Sequence, residues 1–217
     1  MSSGNRRRLT MDAAVEYVTQ LAPSLIAVDG LPCSGKSTMA MRLSERLGGK
    51  CIELDEFVLP QRDWPAAIKP AFPFQYIRYA AFVEVVQVLA TVGECSFRPF
   101  DWDSLDLLPE LRTVTRETPV IVEGVSSLNS ELSPLFDIRV FVESDRSTTM
   151  QTAMQRGVGR WEREWRELFL PSVDIYMATE PQERADVLVL GRAAQQHAAP
   201  DARTTAAALH GSSGVRR

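Results

Sequence analysis

Apolar positions along the chain follow two rhythms. One is helical. Ala13, Ala14, Tyr17, Val18 and Leu21 recur three and four apart, predicting a helix from about Thr10 to Leu21 that Pro23 ends. Met39, Ala40, Leu43 and Leu47 repeat that spacing up to the stop signal Gly48-Gly49. Phe74, Ile77, Ala81, Phe82, Val85, Val88 and Leu89 predict an amphipathic helix over 74–91, closed by Gly93. More helix is expected from Arg146 and through the Arg-, Glu- and Trp-rich stretch 156–170 toward Met177. The other rhythm is the short unbroken apolar run of a buried strand, found at 25–29, 51–54, 95–98, 118–123, 138–142 and 185–190.

Strands alternating with helices predict an α/β domain with a parallel sheet of about five strands and helices on both faces, a three-layer arrangement. The reading divides the chain into an N-terminal extension with a helix (1–23, of which 1–9 form a loose polar end), a folded domain (24–192) and a disordered tail (193–217). In such sheets ligands bind beyond the C-terminal ends of the strands. The segment after residue 29, Asp55, Asp101 and Glu123 all stand at such ends.

The first of these segments is Gly30-Leu-Pro32-Cys33-Ser34-Gly35-Lys36-Ser37-Thr38. It fits Gly-x-x-x-x-Gly-Lys-[Ser/Thr], the phosphate-cradling P-loop, with a predicted strand before it and a helix after it. Glycines let the backbone turn its N–H groups inward, and the starting helix adds its positive end to the same anion site. Lys36 neutralises the outer phosphates, and the Ser37 hydroxyl ligates magnesium. A nucleotide and Mg²⁺ are therefore the expected ligands of this loop.

Composition removes several alternatives. The net charge of −4 speaks against a nucleic-acid binder. Cys33, Cys51 and Cys95 are scattered, which gives neither a disulfide framework nor a zinc site. No apolar run reaches membrane-spanning length and no signal-peptide core follows the first arginines, so a cytoplasmic protein without a membrane partner is expected. Both histidines, His197 and His210, lie in the tail, so proton transfer falls to a carboxylate or to water. No Asn-Lys-x-Asp guanine reader, no Asp-x-x-Gly switch after the loop and no Leu-Ser-Gly-Gly-Gln signature occurs. The layout of phosphate loop, early acid and late arginine-rich segment is that of a small-molecule kinase.

Four blocks make the chain resemble the uridine kinase and phosphoribulokinase family: 28–38, Leu54-Asp-Glu-Phe57, Val120-Ile-Val-Glu-Gly-Val125 and Leu135-Phe-Asp-Ile-Arg-Val-Phe-Val-Glu143. A weaker match covers 169–190. The resemblance implies Asp55 as general base, Glu123 holding magnesium through water, and Arg156 and Arg160 as lid arginines. On its acceptor side fall Asp55, Phe57, Phe74, Phe100 and Asp101. The acceptor side also departs from the family. A stretch that resembles Asp-His-Pro-Asp in the nucleoside kinases is here Lys69-Pro-Ala-Phe-Pro-Phe-Gln75, and the histidine that reads a pyrimidine is missing after Phe100-Asp-Trp-Asp103. Trp161 and Trp165 read as lid packing. The expected activity is transfer of the γ-phosphate of ATP to a hydroxyl of a nucleoside or another small molecule. The alternatives are a sugar, vitamin-precursor or antibiotic acceptor, or a catalytically silent nucleotide-binding regulator. A homo-oligomer stays open.

Overall fold

The computed structural model describes residues 6–156 and 161–191. The expectations placed on Arg160 and on 193–217 lie outside these residues, as does the side chain of Arg156. In chain order the first elements are β1 (Arg7–Leu9), α1 (Met11–Leu21), β2 (Leu25–Gly30), α2 (Lys36–Leu47) and β3 (Lys50–Glu53). Next come α3 (Tyr79–Val92) and the short strands β4 (Glu94–Phe97), β5 (Phe100–Asp101), β6 (Asp106–Leu107) and β7 (Arg112–Thr115). The chain then runs through β8 (Val120–Glu123), β9 (Ile138–Glu143) and α4 (Arg146–Arg156). Beyond the undescribed 157–160 stand α5 (Glu162–Glu164), a π-turn over Trp165–Phe169, α6 (Leu170–Met177) and β10 (Val187–Leu190).

Six strands form the central sheet in the order β1-β10-β9-β2-β8-β3, every pair parallel. Both faces are covered, which is why the inner strands read as unbroken apolar runs. Ile26, Val28, Ile121, Val140 and Val142 pack with α1 and α2 on one face. Leu25, Ala27, Val120 and Val122 pack with α3 and α6 on the other. The register sets Val28 beside Glu123 and Glu53 beside Glu123. The segments that follow these strands, beginning at Leu31, Gly124 and Leu54, therefore leave the sheet at the same C-terminal end.

Three expectations are corrected. The loose end expected over residues 1–9 instead supplies the sixth strand of the sheet, with residues 7–9 pairing with β10 at its edge. Ion pairs from Arg6 to Glu183 and from Arg8 to Glu143 hold that strand, a polar edge solution that leaves no apolar pattern to read. The run 95–98 does not join the sheet. It becomes β4, antiparallel to β7. The helix expected from 74 begins at Tyr79, since Phe74 and Ile77 are buried in a turn whose Ile77 bridges to Val58. The caps agree with the sequence: the Thr10 hydroxyl accepts from the Ala13 amide, and Gly48 and Gly93 close α2 and α3 in the left-handed conformation. No helix among the described residues is long and apolar enough to cross a membrane.

Candidate active site

Gly30 ends β2 at φ 145°, and a Cβ there would stand 2.3 Å from the Val142 carbonyl oxygen of β9. Only glycine lets the chain turn off the sheet at that point. The turn continues through Cys33 at φ 58° to Gly35, which caps α2 and leaves the first-turn amides of that helix without intrahelical acceptors. The Lys36 ammonium donates to the Leu31 carbonyl at 3.1 Å and stands 3.6 Å from Glu123 Oε1. The Ser37 hydroxyl donates to Glu123 Oε2 at 3.5 Å. Inside the loop the Ser34 hydroxyl is buried with no hydrogen-bond partner among the described residues.

Beneath the loop lies Asp29, fully buried. It accepts from the amides of Gly30 (2.6 Å), Ser126 (3.2 Å) and Leu128 (2.8 Å) and from the Tyr176 hydroxyl (2.5 Å). Burial pushes its carboxyl above the usual value, while these donors and Lys36 draw it back. Asp29 thereby ties the loop to the 124–129 segment and to α6.

Asp55 sits on a 3₁₀ turn, Leu54–Phe57, braced from several sides. Glu56 accepts from the Glu53 amide at 3.0 Å and pairs with Arg112. Arg78 donates to the Glu56 carbonyl at 2.8 Å and lies over the Phe57 ring. Gly124 brings the turn close to β8: a Cβ there would meet the Leu54 Cβ at 2.3 Å. The Asp55 side chain is exposed, yet its surface opens into a cavity walled by protein. That surrounding burial pushes its carboxyl upward, and Lys36 draws it back. Glu123 is buried and raised to about 7, first by desolvation and then by its acidic neighbours, against the pull of Lys36. A buried carboxylate beside a serine hydroxyl suits magnesium, which takes one or two carboxylates together with phosphate oxygens. Ser37 and Glu123 thus fit the ion.

The phosphate loop separates two cavities. The larger, about 470 Å³, is lined by Pro32, Cys33, Lys36 and Ser37 of the loop, and by Asp55, Glu123, Phe74 and Phe100. The smaller, about 320 Å³, is lined by Ser34, Gly35 and Thr38 with Thr10, Met11, Asp12, Arg42 and Gly191. Two expected acceptor residues line neither cavity. Phe57 is fully buried in the core, 4.7 Å from the Phe97 ring and 5.3 Å from Phe82. Asp101 accepts from the amides of Asp103 and Ser104 in its own turn. Both are corrections. The Leu54–Phe57 turn sends residues two apart to opposite sides, and a short acid before Trp-Asp-Ser satisfies local backbone first. The sequence reading missed the wall itself, namely Trp64, Tyr76, Trp102 and Phe169 beside Trp161 and Trp165. The available signal was the chain's four tryptophans, all in polar or irregular stretches rather than on an apolar stripe.

No family model and no curated protein matches the sequence. Solved structures do match. A possible uridine kinase from Bacillus stearothermophilus superposes with a TM-score of 0.62 at 19% identity, covering 82% of this chain and 98% of its own. A candidate fructose transport system kinase from Silicibacter sp. TM1040 gives 0.63 at 20%, covering 83% and 98%. The fold is that of the P-loop kinases. A candidate P-loop kinase with a circular permutation from Saccharomyces cerevisiae also matches, at TM-score 0.59 and 11% identity, covering 84% and 99%. At such identities the likeness concerns the P-loop kinase fold, and the role of each residue rests on the geometry above.

Proposed function

We propose that this chain is an ATP-dependent phosphotransferase of the uridine kinase and phosphoribulokinase type, acting on a hydroxyl of a small molecule. The observation that carries the reading is the phosphate loop standing between two cavities, with a carboxylate, Asp55, on the wall of the larger one. The smaller cavity, at the helix side of the loop, receives the nucleoside end of ATP. The larger receives the acceptor.

Within this arrangement the loop amides and the α2 N-terminus hold the phosphate chain, and Lys36 balances charge on the outer phosphates. Ser37 and Glu123 would hold magnesium, which would supply positive charge to the phosphate chain. Asp55 takes the proton of the acceptor hydroxyl as its oxygen forms the new bond to the γ-phosphorus, and the bond from that phosphorus to the bridging oxygen breaks to leave ADP. The raised pKa of Asp55 brings its basicity closer to that of a useful general base. A phosphotransfer screen with ATP and magnesium over nucleosides, sugars and other alcohols tests the reading. ADP release that depends on one acceptor and disappears in Lys36→Ala supports it; no acceptor-dependent release across the panel refutes it.

A further inference from the structure

All four tryptophans of the chain, Trp64, Trp102, Trp161 and Trp165, line the larger cavity, together with Tyr76 and Phe169. They reach it from three segments far apart in sequence, with Trp161 and Trp165 sharing one, so no single local motif brings them together. Five of these rings form a connected wall: Trp64 lies 5.7 Å from Trp161 and 6.1 Å from Phe169, Tyr76 lies 4.6 Å and Trp165 6.0 Å from Phe169, while Trp102 packs on Phe100. These centroid separations are those of favourable aromatic pairs, and the wall offers the same contacts to a ring entering the cavity. Trp64 is held in place by its indole N–H, which donates to the Leu59 carbonyl at 2.8 Å. Tyr76 and Asp55 line the same cavity, and burial first and the Asp55 charge second push the Tyr76 hydroxyl upward.

Away from the phosphate loop and Glu123, the polar groups lining the cavity among the described residues are the Asp55 carboxylate, Gln61, the Tyr76 hydroxyl and the indole N–H groups, of which that of Trp64 already donates to Leu59. Asp55 is committed to one hydroxyl, which leaves few partners for further polar groups. A ribose or a free sugar would bring several hydroxyls against indole and phenyl faces, and unpaired polar groups in a closed site cost affinity. A flat ring meets π-faces instead, with Gln61 able to pair with one edge atom.

We propose that the acceptor of this cavity is a compact aromatic alcohol, its hydroxyl one carbon from a planar ring, rather than a nucleoside or a free sugar. The inference rests on the larger cavity being the acceptor side. Calorimetric titration of the intact chain with pyridoxine, benzyl alcohol, uridine and D-fructose, with and without magnesium and a non-hydrolysable ATP analogue, tests it. At least one aromatic alcohol should bind about tenfold more tightly than uridine and fructose. Trp64→Leu should weaken that binding about tenfold while Trp64→Phe retains most of it, because the effect belongs to the π-face and not to bulk. If Trp64→Leu does not fold, Trp165→Leu gives the same comparison. Uridine or fructose binding as tightly as the aromatic alcohols overturns the inference, and so does an affinity indifferent to loss of the ring. Binding is read without turnover, so the two readings fail separately. Tight aromatic binding by a chain that moves no phosphate refutes the kinase assignment alone, and efficient transfer to uridine refutes the acceptor class alone.

Discussion

Replacing Asp55 by Asn tests the chemistry at the point where the geometry commits itself. The amide keeps the shape of the side chain but cannot take a proton, and general-base catalysis contributes about 10²–10⁴-fold. Turnover should therefore fall by at least about a hundredfold, or roughly 2.7 kcal/mol of barrier. ATP-analogue affinity should hold, since Asp55 lies on the acceptor side of the loop. The same substitution should raise the melting temperature near neutral pH. Burial lifts the Asp55 carboxyl above its usual 3.8, so the folded chain favours the protonated form. That contribution to stability is present in full below the usual value and is lost as pH rises through the elevated one. Asn has no such loss, so its advantage should be absent in acid and grow toward neutrality. For the unsubstituted chain the acid limb of kcat/KM should sit above 3.8 for the same reason. ADP release with the acceptor found by the screen, together with thermal melts at acid and neutral pH, reads all of this. A turnover within about threefold of the parent, or a lower melting temperature in Asn at neutral pH, would refute the reasoning.

Lys36→Ala should abolish transfer and weaken ATP affinity, because its ammonium is the cation placed between the loop and Glu123; unchanged affinity by calorimetry would show that the loop is not the donor site. Gly124→Ala drives a methyl into the Leu54 Cβ, so turnover should fall more than tenfold through displacement of the Asp55 turn, with ATP affinity little changed; parental kinetics would show that the turn adapts without cost. Phe57→Ala should cost about 3–5 kcal/mol of unfolding free energy, the usual penalty for emptying a buried phenyl site, measured by denaturant titration. A loss under about 1 kcal/mol would place Phe57 outside the core.

The phosphate loop was legible because its chemistry is a matter of consecutive backbone conformations. Glycine where a side chain would strike Val142, a helix start at Gly35 and a lysine directly after it all show in a string of nine residues. Buried strands and helix stops are legible for the same reason, since periodicity and left-handed caps are local. Tertiary structure decided what has no local period. Arg7–Leu9 looks like a loose end until β10 supplies an edge for it to pair with. Asp55 and Phe57 share one turn, yet the first lines a cavity and the second fills the core, because Phe82 and Phe97 pack around one side of that turn only. The aromatic wall is the extreme case. Trp64, Trp102, Trp161 and Trp165 are unremarkable where they stand in the chain, and they share a cavity only because the sheet order and the helix packing leave their segments facing the same space.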